Sequence, residues 1–160
     1  MVDLMRIILF IFIFTSFMFS QKIEVTANFV EANSGSKQVK FVGNVNIWQD
    51  SSNWMKANEA IVYFDDANQT KQYEAMGNAS FEMKDKNGHY KGKANGFKHF
   101  VKESIYIMQG NAQVSDLLNK RFLSGDTINV NMKTGIASVK SQTKKPVKFK
   151  IGRASCRERL

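Results

Sequence analysis

Residues 39–47 have the sequence VKFVGNVNI, and close variants of this stretch recur as YEAMGNASF (residues 73–81) and YIMQGNAQV (residues 106–114). Each stretch is centred on a Gly-Asn pair, and the glycines Gly43, Gly77 and Gly110 are 34 and 33 residues apart. A fixed period of this length is typical of proteins built from structural repeats. Polar and apolar residues alternate around each pair, which predicts β-strands. A glycine inside a strand favours a bend or a bulge at that point.

A second motif lies between the Gly-Asn pairs and consists of a small residue, then Asn or Asp, then an alternating run. It occurs as ANFV (residues 27–30), ANEA (57–60), ANGF (94–97) and GDTI (125–128). The two motifs together give about three and a half copies of a two-part unit. From Gln21 onwards the pattern predicts strands and turns, with no convincing helix.

Every predicted strand has one apolar face and one polar face. Because no helix is predicted to cover the apolar faces, the sheet must fold so that these faces meet, as a sandwich, a closed barrel or a repeat-built β-roll. Tight turns favour the roll, which leaves an exposed edge strand at each end. His99 also falls on the apolar side. The large apolar residues of the inner face are predicted to be Val39, Phe41, Val45, Ile47, Val62, Phe64, Tyr73, Phe81, Met83, Phe97, Tyr106, Met108, Val114, Ile128, Val130 and Met132.

The two ends of the chain differ from the repeats. Residues 1–20 contain Arg6 and then 13 mostly apolar residues ending at Phe19. This pattern predicts a secretory signal peptide, cleaved after Ser20, because about 20 apolar residues are needed to span a bilayer. The alternative is an uncleaved inner-membrane anchor. Residues 151–159 resemble a translated sequencing adapter, so we expect 151–160 not to be native and the folded domain to span 21–150. The sole cysteine, Cys156, lies in that tail.

Charge and motifs limit the possible functions. The net charge of +9 falls to +7 for residues 21–150, and the lysines are dispersed along the strands. A solvated lysine-rich surface explains most of them, and an exported binder of nucleic acid or another polyanion is the less favoured alternative. No phosphate-binding loop, nucleophile elbow or zinc motif occurs; His89 follows a predicted turn and is expected to be solvated, and His99 has no Asp, Glu or Cys at ligand spacing. We therefore predict a protein that is not an enzyme, with no cofactor, no metal site and no nucleic-acid partner.

One turn carries a modification motif. The segment DANQT (residues 66–70) fits the extended acidic form of the N-glycosylation acceptor, and it lies between two predicted strands. Asn68 is therefore a possible glycosylation site, and an unmodified turn is the alternative.

The ordered set of motifs resembles the LptA/OstA-like family of periplasmic lipopolysaccharide transport proteins over roughly residues 24–140. The segments that carry the resemblance are FVGNV (41–45), ANEAIVY (57–63), MGNA (76–79), MQGNAQV (108–114) and LSGDTI (123–128). This chain has Asn28, Asn58 and Asn95 where the family usually has Asp.

The resemblance implies a folded-over antiparallel sheet, a β-jellyroll, whose interior shields the acyl chains of lipid A. The apolar residues named above would then line a lipid groove. It also implies a bridge protein that self-associates head to tail between an inner-membrane transfer subunit and an outer-membrane translocon. Three alternatives remain: the membrane-anchored transfer subunit, an N-terminal fragment of the translocon, and a structural repeat module with no ligand.

Overall fold

The computed structural model describes residues 23–84, 86, 88–142 and 145–152, which form strands and turns. The predicted signal segment and the arginine-rich end beyond Gly152, with Cys156, lie outside these residues. No helix in the described part of the chain is long and apolar enough to cross a membrane. The strands are β1 (Glu24–Thr26), β2 (Phe29–Asn33), β3 (Gln38–Asp50), β4 (Asn53–Phe64), β5 (Thr70–Lys84), β6 (His89–Phe100), β7 (Ile105–Asp116), β8 (Arg121–Asn131), β9 (Ile136–Lys140) and β10 (Lys148–Ile151).

The ten strands form one antiparallel sheet in which β3 to β8 pair in chain order. Two short strands lie at each edge: β1 and β2 both pair with β3, and β9 and β10 both pair with β8. Among the described residues the edges do not pair with each other, so this sheet is not closed into a barrel. The predicted all-β, repeat-built antiparallel fold is confirmed. The single edge strand expected at each end is instead two short strands, and the two at the first edge are separated at Ala27 and Asn28.

The Gly-Asn pairs form a row of β-bulges across the sheet. The register shifts between Val42 and Val45, and equivalent shifts occur in the pairs β4–β5, β5–β6, β6–β7 and β7–β8. Gly43, Gly77 and Gly110 have φ values of 81°, 77° and 78°, and the asparagine after each also has a positive φ. Glycine adopts this left-handed backbone without the steric cost that a β-carbon imposes. The bulge predicted at these glycines is confirmed.

The second motif lies opposite the bulges on the neighbouring strands. The two motifs together form a bend that runs across the sheet, and we call this bend the crease. A β-carbon at Gly77 would lie 2.6 Å from the side-chain nitrogen of Asn58, and one at Gly110 would lie 2.6 Å from that of Asn95. The asparagine side chains therefore pack where the glycines have none. The small residues before Asn58 and Asn95, which are Ala57 and Ala94, are buried on the other face. Both motifs thus serve one feature, a sharp bend with small residues on its inner side.

The crease divides the sheet into two halves. Half A contains residues 45–57, 79–94 and 112–125 with β1 and β10, and half B contains residues 29–42, 59–76, 96–109 and 127–140. Phe81 of half A pairs with Gly92, which lies five residues before Phe97 of half B. In a flat sheet, Phe81 and Phe97 would therefore be about 16 Å apart. The ring centroids of Phe81 and Phe97 are only 5.6 Å apart, so the two halves fold towards each other.

Candidate functional site

The candidate site is the inner face, where the two halves of the sheet meet. Its centre is a cluster of alanines at the crease with Phe97, Met108 and Ile128, all of them buried. Of the other predicted inner residues, Val45 is also buried, and Phe81, Tyr106, Val114 and Val130 pack against the cluster. Further from the centre, the predicted residues that are partly exposed are Val39, Phe41, Ile47, Val62, Phe64 and Tyr73.

Two predicted inner residues lie away from this cluster. Met83 and Met132 are 39% and 59% exposed, because Met83 is next to the end of β5 and Met132 follows the last residue of β8. They are at the rim of the inner face rather than inside it. The structure therefore brings fourteen of the sixteen predicted side chains into or around one apolar surface and leaves these two at its margin.

Three inner residues were missed by the sequence analysis: Met55, Leu123 and Val139 pack against the core cluster. The signal for two of them was present. In strands with a Gly-Asn pair, every second residue faces inward and this alternation continues unchanged across the crease. In strands with the second motif, the alternation shifts by one residue at the crease, so that even-numbered Ala60 and odd-numbered Ala57 both face inward. Inverting the alternation at the asparagine of β4 and the aspartate of β8 would have identified Met55 and Leu123.

The inner face is closed in this structure. Between the halves, side chains that include Met55, Phe81, Phe97 and Met108 pack without leaving a gap large enough for a water molecule. Methionine side chains are flexible and adapt to irregular shapes. A long apolar ligand would therefore have to move these side chains and separate the Phe81–Phe97 contact before it could enter.

Three stacked rings lie one row further from the crease in half B. Tyr73, His99 and Tyr106 are register partners on β5, β6 and β7. The His99 ring is 4.0 Å from the Tyr106 ring with an interplanar angle of 7°, and 5.9 Å from the Tyr73 ring with an angle of 13°. Burial lowers the pKa of His99 and raises the pKa of the Tyr106 phenol. The imidazole is therefore neutral at pH 7.

An ion pair lies at the far end of half A. Asp116 is 6% exposed and accepts hydrogen bonds from Asn119 and from Arg121, whose Nη2 is 2.6 Å from Asp116 Oδ2. Burial alone would raise the pKa of Asp116, but these hydrogen bonds outweigh it and lower that pKa. The carboxylate therefore fixes the β7–β8 turn as an anion.

The outer face carries paired charges. Glu74 pairs with Lys98 at 3.2 Å, directly across β5 and β6. Glu82 accepts one hydrogen bond from the Trp54 indole N–H and contacts His89 at 2.7 Å, and the His89 contact is the largest cause of the lowered pKa of Glu82. Opposite charges on facing strands stabilise a sheet modestly and keep this face polar. In the described part of the chain, no three His, Cys, Asp or Glu side chains form a group that could hold a metal ion.

Asn68 lies in the exposed turn between β4 and β5. Its φ is 58°, and its backbone nitrogen donates to the carbonyl oxygen of Asp65. Asp66 is fully exposed and contacts Lys37 Nζ at 2.7 Å. The side chain of Asn68 is thus accessible, and its glycosylation stays a prediction.

The geometry defines a class: a repeat-built antiparallel sheet, creased along a row of bulges, with an apolar inner face and two open edges. Within that class the chain belongs to the family described as LptA/(LptD N-terminal domain) LPS transport protein, which matches residues 24–136. Among solved structures it is similar to LptH, the LptA homologous periplasmic component of the lipopolysaccharide transport device from Pseudomonas aeruginosa. The two share 19% sequence identity and a TM-score of 0.69 over 83% of this chain and 96% of LptH, which is a likeness of fold. A comparison with proteins of curated function finds no match.

Proposed function

We propose that this protein is a periplasmic carrier that shields the acyl chains of lipid A during lipopolysaccharide transport from the inner to the outer membrane. The observation that carries the proposal is the apolar inner face of a protein in a lipopolysaccharide transport family. Burial of each acyl CH₂ group contributes about 0.8 kcal/mol, so a groove that covers several chains would hold a multi-chain lipid out of water. The role needs no chemical step, so we propose a carrier and not an enzyme.

The two edges of the sheet support a bridge built from several units. Phe29 and Val30 are exposed on the first edge, and Ile136 and Phe149 are exposed on the last. These edges are different surfaces, so one edge of a molecule can pair with the opposite edge of the next in a head-to-tail contact that propagates. The same edges would join the inner-membrane transfer subunit and the outer-membrane translocon. The periplasmic location is supported by the likeness to LptH, which is described as a periplasmic component.

Site-specific photocrosslinking in cells tests the proposal. A photoreactive residue is placed at Phe41, Phe81 or Met108 on the inner face, and the matched control is Ile107, the outer-facing neighbour of Met108. We expect lipopolysaccharide adducts at the three inner positions and not at Ile107. Adducts at none of the inner positions, or equal adducts at Met108 and Ile107, would contradict the proposal.

Two other roles have specific support. The family description covers the N-terminal domain of LptD as well as LptA, which supports a domain of the outer-membrane translocon. The close packing of side chains between the halves supports a structural module with a packed core and no ligand. Sequencing the native transcript beyond Lys150 tests the first, because a long continuation into another domain favours it. Absence of saturable lipid A binding to the purified protein favours the second.

A further inference from the structure

The stacked rings of Tyr73, His99 and Tyr106 carry polar atoms and lie among the apolar side chains of the inner face. We call these three rings the polar island. In the same transverse row, Val62 pairs with Tyr73 on one side and Val130 pairs with Tyr106 on the other. The row nearer the crease holds Phe97, Met108 and Ile128, and the Phe97 ring is 6.0 Å from the Tyr106 ring. The island therefore lies at the margin of the closed core, between buried apolar side chains and the open rim.

The polar atoms of this island have no partner in the described part of the chain. No hydrogen bond or ion pair joins any of the three rings to another described residue; their contacts are the ring contacts themselves. Neutral His99 offers one N–H donor and one acceptor nitrogen, and each tyrosine offers a hydroxyl that can donate. A ligand that covered these atoms without hydrogen-bonding them would leave them buried and unsatisfied, which opposes binding.

We propose that this stack hydrogen-bonds the ester and amide carbonyls that join acyl chains to the sugar of an acylated lipid, and so sets how deep the chains enter the inner face. The inference rests on the proposed carrier function and names the part of the lipid that the island recognises. Acyl chains supply no acceptor, and a sugar headgroup favours water. The carbonyls lie at the boundary between the two, which matches the place of the island between the apolar core and the rim.

The test compares two ligands that both carry apolar chains. Lipid A carries ester and amide carbonyls, whereas the tail of dodecyl maltoside carries none. Purified full-length protein is titrated with each, and the His99→Phe variant keeps an aromatic ring for stacking but removes both nitrogens. We expect the affinity of His99→Phe for lipid A to fall roughly 2- to 10-fold, as expected for one lost hydrogen bond, and its affinity for dodecyl maltoside to stay unchanged.

Two further variants separate recognition from folding. Tyr106→Phe removes one hydroxyl and no ring, and we expect it to weaken lipid A binding in the same selective way. Tyr63→Phe is the matched control, because Tyr63 pairs with Gln72 and its hydroxyl interacts with Glu74, which is bonded to Lys98 on the outer face. We expect Tyr63→Phe to bind both ligands like the wild type.

Nitrogen NMR of the imidazoles gives a second readout. We expect the His99 ring nitrogens to shift on addition of lipid A and not of dodecyl maltoside, with His89 on the outer face unaffected by either. If the wild type binds both ligands and His99→Phe changes neither affinity, or changes both equally, this inference is overturned and the carrier function stands. If the wild type binds neither, the carrier function itself is overturned.

Discussion

Substitution of Gly110 by alanine tests whether the crease depends on the glycines of the repeat. Two costs add at this position. Gly110 has a φ of 78°, and a left-handed backbone costs a residue with a β-carbon about 1–2 kcal/mol. The new β-carbon would also lie 2.6 Å from Asn95 Nδ2 and 2.8 Å from Asn95 Cβ, and overpacking of this kind costs about 1–3 kcal/mol. We therefore expect Gly110→Ala to lower the free energy of unfolding by about 2–5 kcal/mol.

Two other glycines separate these costs. Gly135 has a φ of 70° with nothing within 4 Å of its added β-carbon, so Gly135→Ala should show the backbone cost alone, about 1–2 kcal/mol. Gly96 follows Asn95 in β6, and its β-carbon would meet only the Ala75 carbonyl oxygen at 3.8 Å. Gly96→Ala should therefore be neutral or stabilise the protein by about 0.4–1 kcal/mol.

The measurement is urea unfolding followed by circular dichroism and by tryptophan fluorescence, with all variants compared in one buffer. A double variant, Gly110→Ala with Asn95→Gly, removes the side chain that the new β-carbon would meet. In a double-mutant cycle it should recover the overpacking part of the loss and leave the backbone part. The reasoning is refuted if Gly110→Ala costs no more than Gly135→Ala, or if removing the Asn95 side chain restores nothing.

Three more predictions concern other parts of the chain. Gly92→Val should lower the free energy of unfolding by about 1–3 kcal/mol, because an added β-carbon would lie 2.5 Å from the Phe81 ring; unchanged urea unfolding would show that the ring does not lie there. Asp116→Asn should cost about 1–2 kcal/mol at pH 7. Because the folded-state pKa of Asp116 is lowered, its contribution is complete above about pH 3.8 and is lost as the pH falls through that lower pKa, so unfolding curves of variant and wild type should converge in acid. If Asn68 is glycosylated, protein from the native host carries an added glycan mass that Asn68→Gln removes, and an unmodified intact mass would establish the alternative, an unmodified turn.

Much of the fold followed from the period of about 33 residues. The glycine at the centre of each repeat indicated a bend, and the alternation on both sides assigned most inner side chains, including Phe97, Met108 and Ile128. Both signals are local, since a positive φ demands glycine and a half-buried strand demands alternation. The sequence therefore predicted the strands and the crease well.

The closure of the two halves and the surroundings of His99 could not be predicted in this way. Both depend on contacts between residues that are far apart in the sequence, and no local pattern contains that information. The alternation shows that Phe81 and Phe97 share a face, but it does not show that the halves close until their ring centroids are 5.6 Å apart. His99 stood out in the sequence as a misplaced polar residue. A ligand-binding role for His99 could be proposed only from the strand register, which places His99 between Tyr73 and Tyr106.

The central claim is that the folded inner face, and not the outer face, receives acyl chains. Fluorine NMR with a trifluoromethyl-phenylalanine at one site tests it directly in the purified full-length protein. Phe97 and Phe100 lie on the same strand, with Phe97 in the buried cluster and Phe100 paired with Gln72 on the opposite face. Titration with lipid A should shift the resonance at position 97 to saturation and leave position 100 unchanged. An unshifted signal at position 97, or equal shifts at both positions, would contradict the account.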